Sequence, residues 1–207
     1  MAGREDIVIV LLAGGLSRRM GGGDKSLRAL GGRSVLEHVI ARMAPQAARL
    51  VLNANGDPER FAAYGLPVAP DPIEGFAGPL AGVVAGYRWA AAHAPAARDI
   101  VTVPTDGPFV PRDLVERLVE GRRAAGADLA CAASDGQPHP VVGLWPLRLA
   151  ADLERALIVE GIRKVDVWTA RHRLATVAFD TAPVDPFFNA NRPEDLAEAE
   201  RLLAVAP

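Results

Sequence analysis

Short apolar runs alternate with longer amphipathic stretches along the whole chain. Residues 7–12 are continuously apolar, the pattern of a strand buried on both faces. Ser34-Val-Leu-Glu37 is a capping box that opens a helix through Met43, with a turn at Gly31-Gly32 before it. Residues 50–53 form a second strand, 58–64 a short helix, and 66–69 a third strand ending at Asp71. The Ala-rich stretch 79–92, interrupted by Gly82 and Gly86, reads as a helix packed tightly against a sheet. Residues 99–103 make a fourth strand, and a helix over 111–124 begins at Pro111, a residue helices accept in their first turn. Further strands fall at 127–132, 140–145 and 174–179, and further helices at 147–157, 165–171 and 193–203. Repeated strand–helix units of this size imply an α/β fold, a mostly parallel layered sheet with helices on both faces. Proline and glycine are spread throughout rather than gathered in a linker, so residues 1–207 are expected to form one domain.

Composition narrows the class without deciding it. Half the residues are hydrophobic, 23% are charged and the net charge is −2, so the global field does not favour nucleic acid. Cys131 is the one cysteine, which excludes an intrachain disulfide and fits a reducing, cytoplasmic setting. Its apolar neighbours make it a core thiol rather than a nucleophile. No apolar stretch is long enough to span a bilayer, and acidic Glu5 and Asp6 before the first apolar run argue against a signal peptide. His38, His93, His139 and His172 are scattered, so any metal is expected to be a hard ion bound through oxygen.

The chemistry concentrates after the first strand, where Leu11 to Leu27 read LLAGGLSRRMGGGDKSL. Glycines let backbone N–H groups crowd round a ligand and form an anion-binding concavity. Arg18, Arg19 and Lys25 add full positive charge to the same loop. Asp24 stands where a P-loop needs Gly before its Lys-Ser pair, and no third Gly follows in the dinucleotide register. The loop is therefore a phosphate binder of neither type.

In a sheet of this kind ligands bind beyond the carboxyl ends of the strands, so the residues there are the candidates. Asn53 carries an amide suited to a base edge or a ribose hydroxyl, and Asp71 suits the N–H donors of a base. Both types also cap ordinary turns. Asp106 sits in Pro104-Thr-Asp-Gly-Pro108, fixed between prolines directly after an apolar strand. One such carboxylate beside a phosphate loop suffices for Mg²⁺, which takes its remaining ligands from phosphate and water. Before the last helix, Asn191 to Asp195 make a good helix start, whereas Asn189 is not needed for it and can face the site. His139-Pro140 and the run 163–168 are further candidates for contact with an acceptor, although Trp168 alone is more often core.

The blocks LAGGxSxRMGGxDKxL, GPLAGV at 78–83, PTDxPF at 104–109, HPVxGLW at 139–145 and NxNxPEDL at 189–196 resemble the molybdenum cofactor guanylyltransferase (MobA) family over nearly the whole chain. The resemblance implies a Rossmann-like nucleotidyltransferase fold and transfer of GMP from GTP to the terminal phosphate of molybdenum-bearing molybdopterin, with release of pyrophosphate. It implies that Leu12, Ala13, Gly14 and Gly15 hold the guanine end, that Asn53 and Asp71 complete guanosine recognition, and that Lys25 meets phosphate. Asp106 would carry Mg²⁺, Arg19 and Lys25 would neutralise developing charge, and Asn189 and Asn191 would lie on the acceptor side. GTP and molybdenum-molybdopterin are the expected partners, with transient contact to molybdenum-insertion proteins or molybdoenzymes, and neither nucleic acid nor membrane. Related cytidylyltransferases usually read LAAG where this chain has Leu12-Ala13-Gly14-Gly15, so base choice rests on Gly15. A cytidylyltransferase on the same cofactor, a sugar-phosphate nucleotidyltransferase and a non-catalytic nucleotide sensor stay open on the residues alone.

Overall fold

Each strand of the parallel core is a short apolar run, and the sheet that results explains why. A computed structural model describes residues 6–13, 24–72 and 78–206. Its strands are β1 (Ile7–Leu12), β2 (Ala29–Leu30), β3 (Arg33–Ser34), β4 (Arg49–Asn53), β5 (Val68–Ala69), β6 (Asp99–Pro104), β7 (Leu129–Ser134), β8 (Gln137–Pro146) and β9 (Leu174–Phe179). Its helices are α1 (Val35–Met43), α2 (Pro79–His93), α3 (Leu114–Ala124), α4 (Ala150–Ile158), α5 (Val165–Thr169) and α6 (Pro193–Leu202). Seven strands make one sheet in the order β5-β4-β1-β6-β8-β7-β9. Alternate residues of β1 serve opposite faces. Ile7, Ile9 and Leu11 pack with α1 and α3, and Val8 and Val10 pack with α2, α4 and α5. The layered α/β architecture with helices on both faces is as expected. No helix among the described residues is long and apolar enough to cross a membrane.

One strand departs from the parallel pattern. β8 runs antiparallel to both β6 and β7, whereas β1, β4, β5 and β6 are mutually parallel, as are β7 and β9. The cause is the turn Asp135-Gly136, both residues at positive φ (47° and 72°), which closes a tight hairpin with Ser134 opposite Gln137. Local boundaries shift for similar reasons. α3 starts at Leu114 instead of Pro111, because Gln46 from another segment supplies the cap: its side chain donates to the Pro111 carbonyl at 2.8 Å and accepts from the Val115 N–H at 2.9 Å. The Gly31-Gly32 turn joins the small β2–β3 hairpin, and Leu147–Leu149 is a 3₁₀ turn leading into α4. The capping box of α1 is present, with Glu37 N–H donating to Ser34 Oγ at 3.1 Å and Ser34 N–H to Glu37 Oε2 at 2.6 Å.

The glycines of α2 bring that helix down onto the centre of the sheet. A Cβ at Gly86 would lie 2.5 Å from Val10 Cγ2 and 3.0 Å from Ile100 Cδ1. Alanine normally favours a helix over glycine by about 1 kcal/mol, but overpacking a core costs about 1–3 kcal/mol. Gly86→Ala is therefore expected to lower the free energy of unfolding by up to about 2 kcal/mol in a denaturant titration. A gain in stability would show that α2 can move off β1 without penalty.

Candidate active site

The carboxyl ends of β1, β4, β5 and β6 open into a cleft of about 1290 Å³ lined by Leu12, Ala13, Lys25, Asn53, Asp71 and Asp106 on this side. His139, Phe187 and Asn189 line it from the other side. The strand ends are stitched to one another. Ala13 N–H donates to the Asn53 carbonyl at 2.9 Å, and both N–H and Oγ1 of Thr105 donate to the Leu12 carbonyl at 3.2 Å. Gly14, Gly15 and Arg19, expected in the nucleotide loop, lie outside the described residues.

Asn53 and Asp71 meet directly. The buried Asn53 amide donates to the Ala69 carbonyl at 3.1 Å and to Asp71 Oδ1 at 3.0 Å. Asn55 completes a clamp: its amide donates to Asp71 Oδ2 at 2.7 Å, and its own Oδ1 accepts from the Asp71 N–H at 2.8 Å. Both carboxylate oxygens of Asp71 are thus held in place, and the Asn53 amide is shared between the Ala69 carbonyl and Asp71. Gly82 on α2 makes this possible, because a Cβ there would come within 2.5 Å of Asn53 Oδ1 and 2.6 Å of Leu12 Cδ2.

Across the cleft floor, Lys25 opens a 3₁₀ turn and donates from Nζ to Asn191 Oδ1 at 2.8 Å. The segment bearing Asn189 and Asn191 is strapped to the end of β6 by Ala190 N–H donating to the Asp106 carbonyl at 2.9 Å. Asp195 secures its other end, accepting from the N–H groups of Asn191 and Arg192 at the start of α6. Asn189 and Asn191 are both therefore close to the β6 terminus, although they are distant from it in sequence.

Asp106 is the electrostatic anomaly. Its Oδ1 is buried with no hydrogen-bond partner among the described residues. Burial pushes its carboxyl above the usual carboxylate range, and the Lys25 charge pulls partly the other way. A buried ionised oxygen without a partner is costly, so a site of this kind suits a cation brought in with a ligand. No cluster of three or more His, Cys, Asp or Glu exists among the described residues. One hard oxygen donor, with ligand phosphate and water supplying the rest, is the donor set that Mg²⁺ accepts.

Other candidates separate cleanly. His139 faces the cleft, with Nε2 at 2.8 Å from Ser134 Oγ and its ring 4.6 Å from that of Phe187; burial lowers its pKa. Trp168 is fully buried, stacked on Trp145, and Arg163 donates to the Leu157 and Ile162 carbonyls. Cys131 is buried with its thiol pKa raised by burial, which leaves it inert. Asn55, Arg60 and Gly82 were not singled out from the sequence as parts of the site. Of these, Gly82 alone carried a signal, a glycine inside a helix facing a strand end.

Residues 9–174 match the family model for the MobA-like NTP transferase domain. The molybdenum cofactor guanylyltransferase of Bradyrhizobium sp. (strain ORS 278) is 62% identical over 196 residues, covering 95% of this chain and 92% of the relative. The protein of the same name from Rhodopseudomonas palustris (strain BisB5) is 60% identical over 193 residues, covering 93% and 92%. Among solved structures, molybdopterin-guanine dinucleotide biosynthesis protein A from Archaeoglobus fulgidus superposes with a TM-score of 0.74 at 27% identity, covering 96% of this chain and 99% of that one. With the cleft at the strand ends and identity of this extent, the chain belongs to the molybdenum cofactor guanylyltransferase family of nucleotidyltransferases.

Proposed function

We propose that the cleft transfers GMP from GTP to the terminal phosphate of molybdenum-bearing molybdopterin. An oxygen of the acceptor phosphate attacks the α-phosphorus of GTP, and the bond to the β-phosphate oxygen breaks to release pyrophosphate. The observation that carries this reading is Asp106 Oδ1, buried with no hydrogen-bond partner among the described residues and within the field of Lys25, just past the end of β6. Asp106 would hold Mg²⁺, which when bound neutralises charge on the phosphates. Lys25 would add a cation there, and Arg19, whose place lies outside the described residues, would add another. Asp71 would accept the N–H donors of guanine, with Asn53 and Asn55 aiming it, and the Leu12–Ala13 backbone with Gly14 and Gly15 would line the base. Asn189 and Asn191 would face the acceptor. An acceptor phosphate is ionised at neutral pH, so the reaction asks for no general base.

We read residues 1–207 as one nucleotidyltransferase domain, since a single sheet carries both sides of the cleft. A free, buried cysteine fits work in the cytoplasm, where transient contact with molybdenum-insertion proteins or molybdoenzymes would pass the cofactor on. Pyrophosphate release with molybdenum-molybdopterin and GTP, ATP or CTP tests the base assignment. GTP is expected to be preferred at least about tenfold in kcat/KM, and Asp71→Asn to lower the GTP value by about 10–100-fold, the worth of hydrogen bonds to a charged acceptor. A preference for CTP would overturn the guanine assignment.

A further inference from the structure

Arg60 occupies a position that no part of the reaction described above requires. It lies on the 3₁₀ helix Pro58–Tyr64, lines the cleft, and spends its guanidinium on three acceptors in two segments, Asp24 and the 55–57 turn. Nε donates to Asp24 Oδ2 at 2.5 Å, Nη1 to the Asp57 carbonyl at 2.5 Å, and Nη2 to the Asn55 carbonyl at 2.6 Å. The guanidinium carbon sits 4.5 Å from the ring centre of Phe61. The side chains of Arg60 and Asp24 are 29% and 17% exposed, so water screens the pair incompletely. Asp24 is itself a lining residue of the cleft and directly precedes Lys25. Asn55, held through its carbonyl, is the residue whose side chain clamps Asp71.

We propose that Arg60 is a positioning residue for the nucleoside triphosphate. It cancels the Asp24 charge next to the phosphate site, and it braces the turn that aims Asp71. The inference rests on the nucleotidyltransferase reading of the cleft. A bare carboxylate at position 24 would face a polyanion across a poorly screened cleft, which opposes substrate binding more than it opposes bond formation. The planar fork is what permits three simultaneous bonds from one side chain, so lysine can replace the charge but not the brace.

The test compares Arg60→Gln, Arg60→Lys and the double variant Arg60→Gln/Asp24→Asn in the full chain, with melting curves to confirm folding. KM for GTP, KM for molybdenum-molybdopterin and kcat are measured with Mg²⁺. Arg60→Gln is expected to raise KM for GTP by about tenfold or more, the scale of leaving a half-buried charge unpaired. The acceptor KM should stay within about threefold, as should kcat. Arg60→Lys should recover part of the GTP KM, and removing the Asp24 charge in the double variant should recover most of it. A GTP KM unchanged in Arg60→Gln overturns the proposal. A raised KM that Asp24→Asn leaves unrelieved also overturns it, because the bridge would then be a structural tie alone. If Arg60→Gln does not fold, the proposal stands or falls on the Arg60→Lys shift and on whether Asp24→Asn relieves it. A wild-type enzyme that prefers CTP would overturn the guanine assignment and the brace of Asp71 toward guanine, and would leave the cancellation of the Asp24 charge standing, since that part concerns the triphosphate.

Discussion

Asp106→Asn is expected to slow GMP transfer by about a hundredfold or more at saturating GTP and Mg²⁺, and to raise the melting temperature of the ligand-free protein at neutral pH. The two effects have one cause. Asp106 Oδ1 is buried with no partner among the described residues, and burial raises the carboxyl pKa despite Lys25 nearby. The folded chain therefore holds the Asp106 proton more tightly than the unfolded chain does. It follows that the ionised carboxylate costs stability above the folded pKa and costs none below the unfolded one. An amide carries no charge, so the variant gains most at neutral pH, and its advantage shrinks as the pH falls into the usual carboxylate range. On the proposed reading, the same ionised oxygen is what the cation that accompanies the triphosphate would bind, so losing it is expected to harm turnover. Rapid-quench measurement of the transfer rate checks the first effect, and calorimetry across pH checks the second. Near-wild-type transfer at saturating Mg²⁺ would remove Asp106 from the metal. A melting temperature lowered at neutral pH would show that the carboxylate is compensated in the fold.

Lys25→Ala is expected to cost transfer by about a hundredfold, the usual loss for one preorganised charge at a site where negative charge develops. Lys25 Nζ is held at 2.8 Å by Asn191 Oδ1, and the segment bearing Asn191 is anchored to the end of β6. The ammonium is thus placed before the substrate arrives, and it needs little reorganisation in the reaction. Asn191→Ala releases the ammonium without removing it, so a smaller loss of about threefold to tenfold is expected. Single-turnover rates for the two variants separate charge from placement. If both lose the same factor, placement rather than charge is the main contribution of Lys25.

What was legible in the chain follows from what is local. β1 is a continuous apolar run, β6 is apolar apart from Asp99 and Thr102, and α1 carries its own capping box, so their existence can be read from neighbouring residues. Periodicity says nothing of direction, so a mostly parallel sheet is as far as the pattern reaches and the reversal of β8 is not in it. The Asp135-Gly136 turn was the available sign of its reversal. The start of α3 depends on Gln46, a cap delivered by packing and not by sequence neighbours. The site divides in the same way. Asp71 and Asp106 lie just past strand ends and Lys25 closes the glycine-rich loop after the first strand, where the fold class directs attention, and all three line the cleft. The clamp of Asn53 and Asn55 on Asp71, and the bridge from Arg60 to Asp24, join segments that meet only once the sheet has formed. Their residues look like turn formers and a surface arginine until the chain is folded.

The product of the reaction distinguishes a guanylyltransferase from every alternative. Purified protein incubated with Mg²⁺ and molybdenum-loaded molybdopterin, with GTP and CTP offered separately, gives a pterin product whose mass can be read directly. A GMP adduct formed with GTP and absent with CTP is the predicted result. A CMP adduct, or no adduct despite tight binding of magnesium and nucleotide, would contradict it.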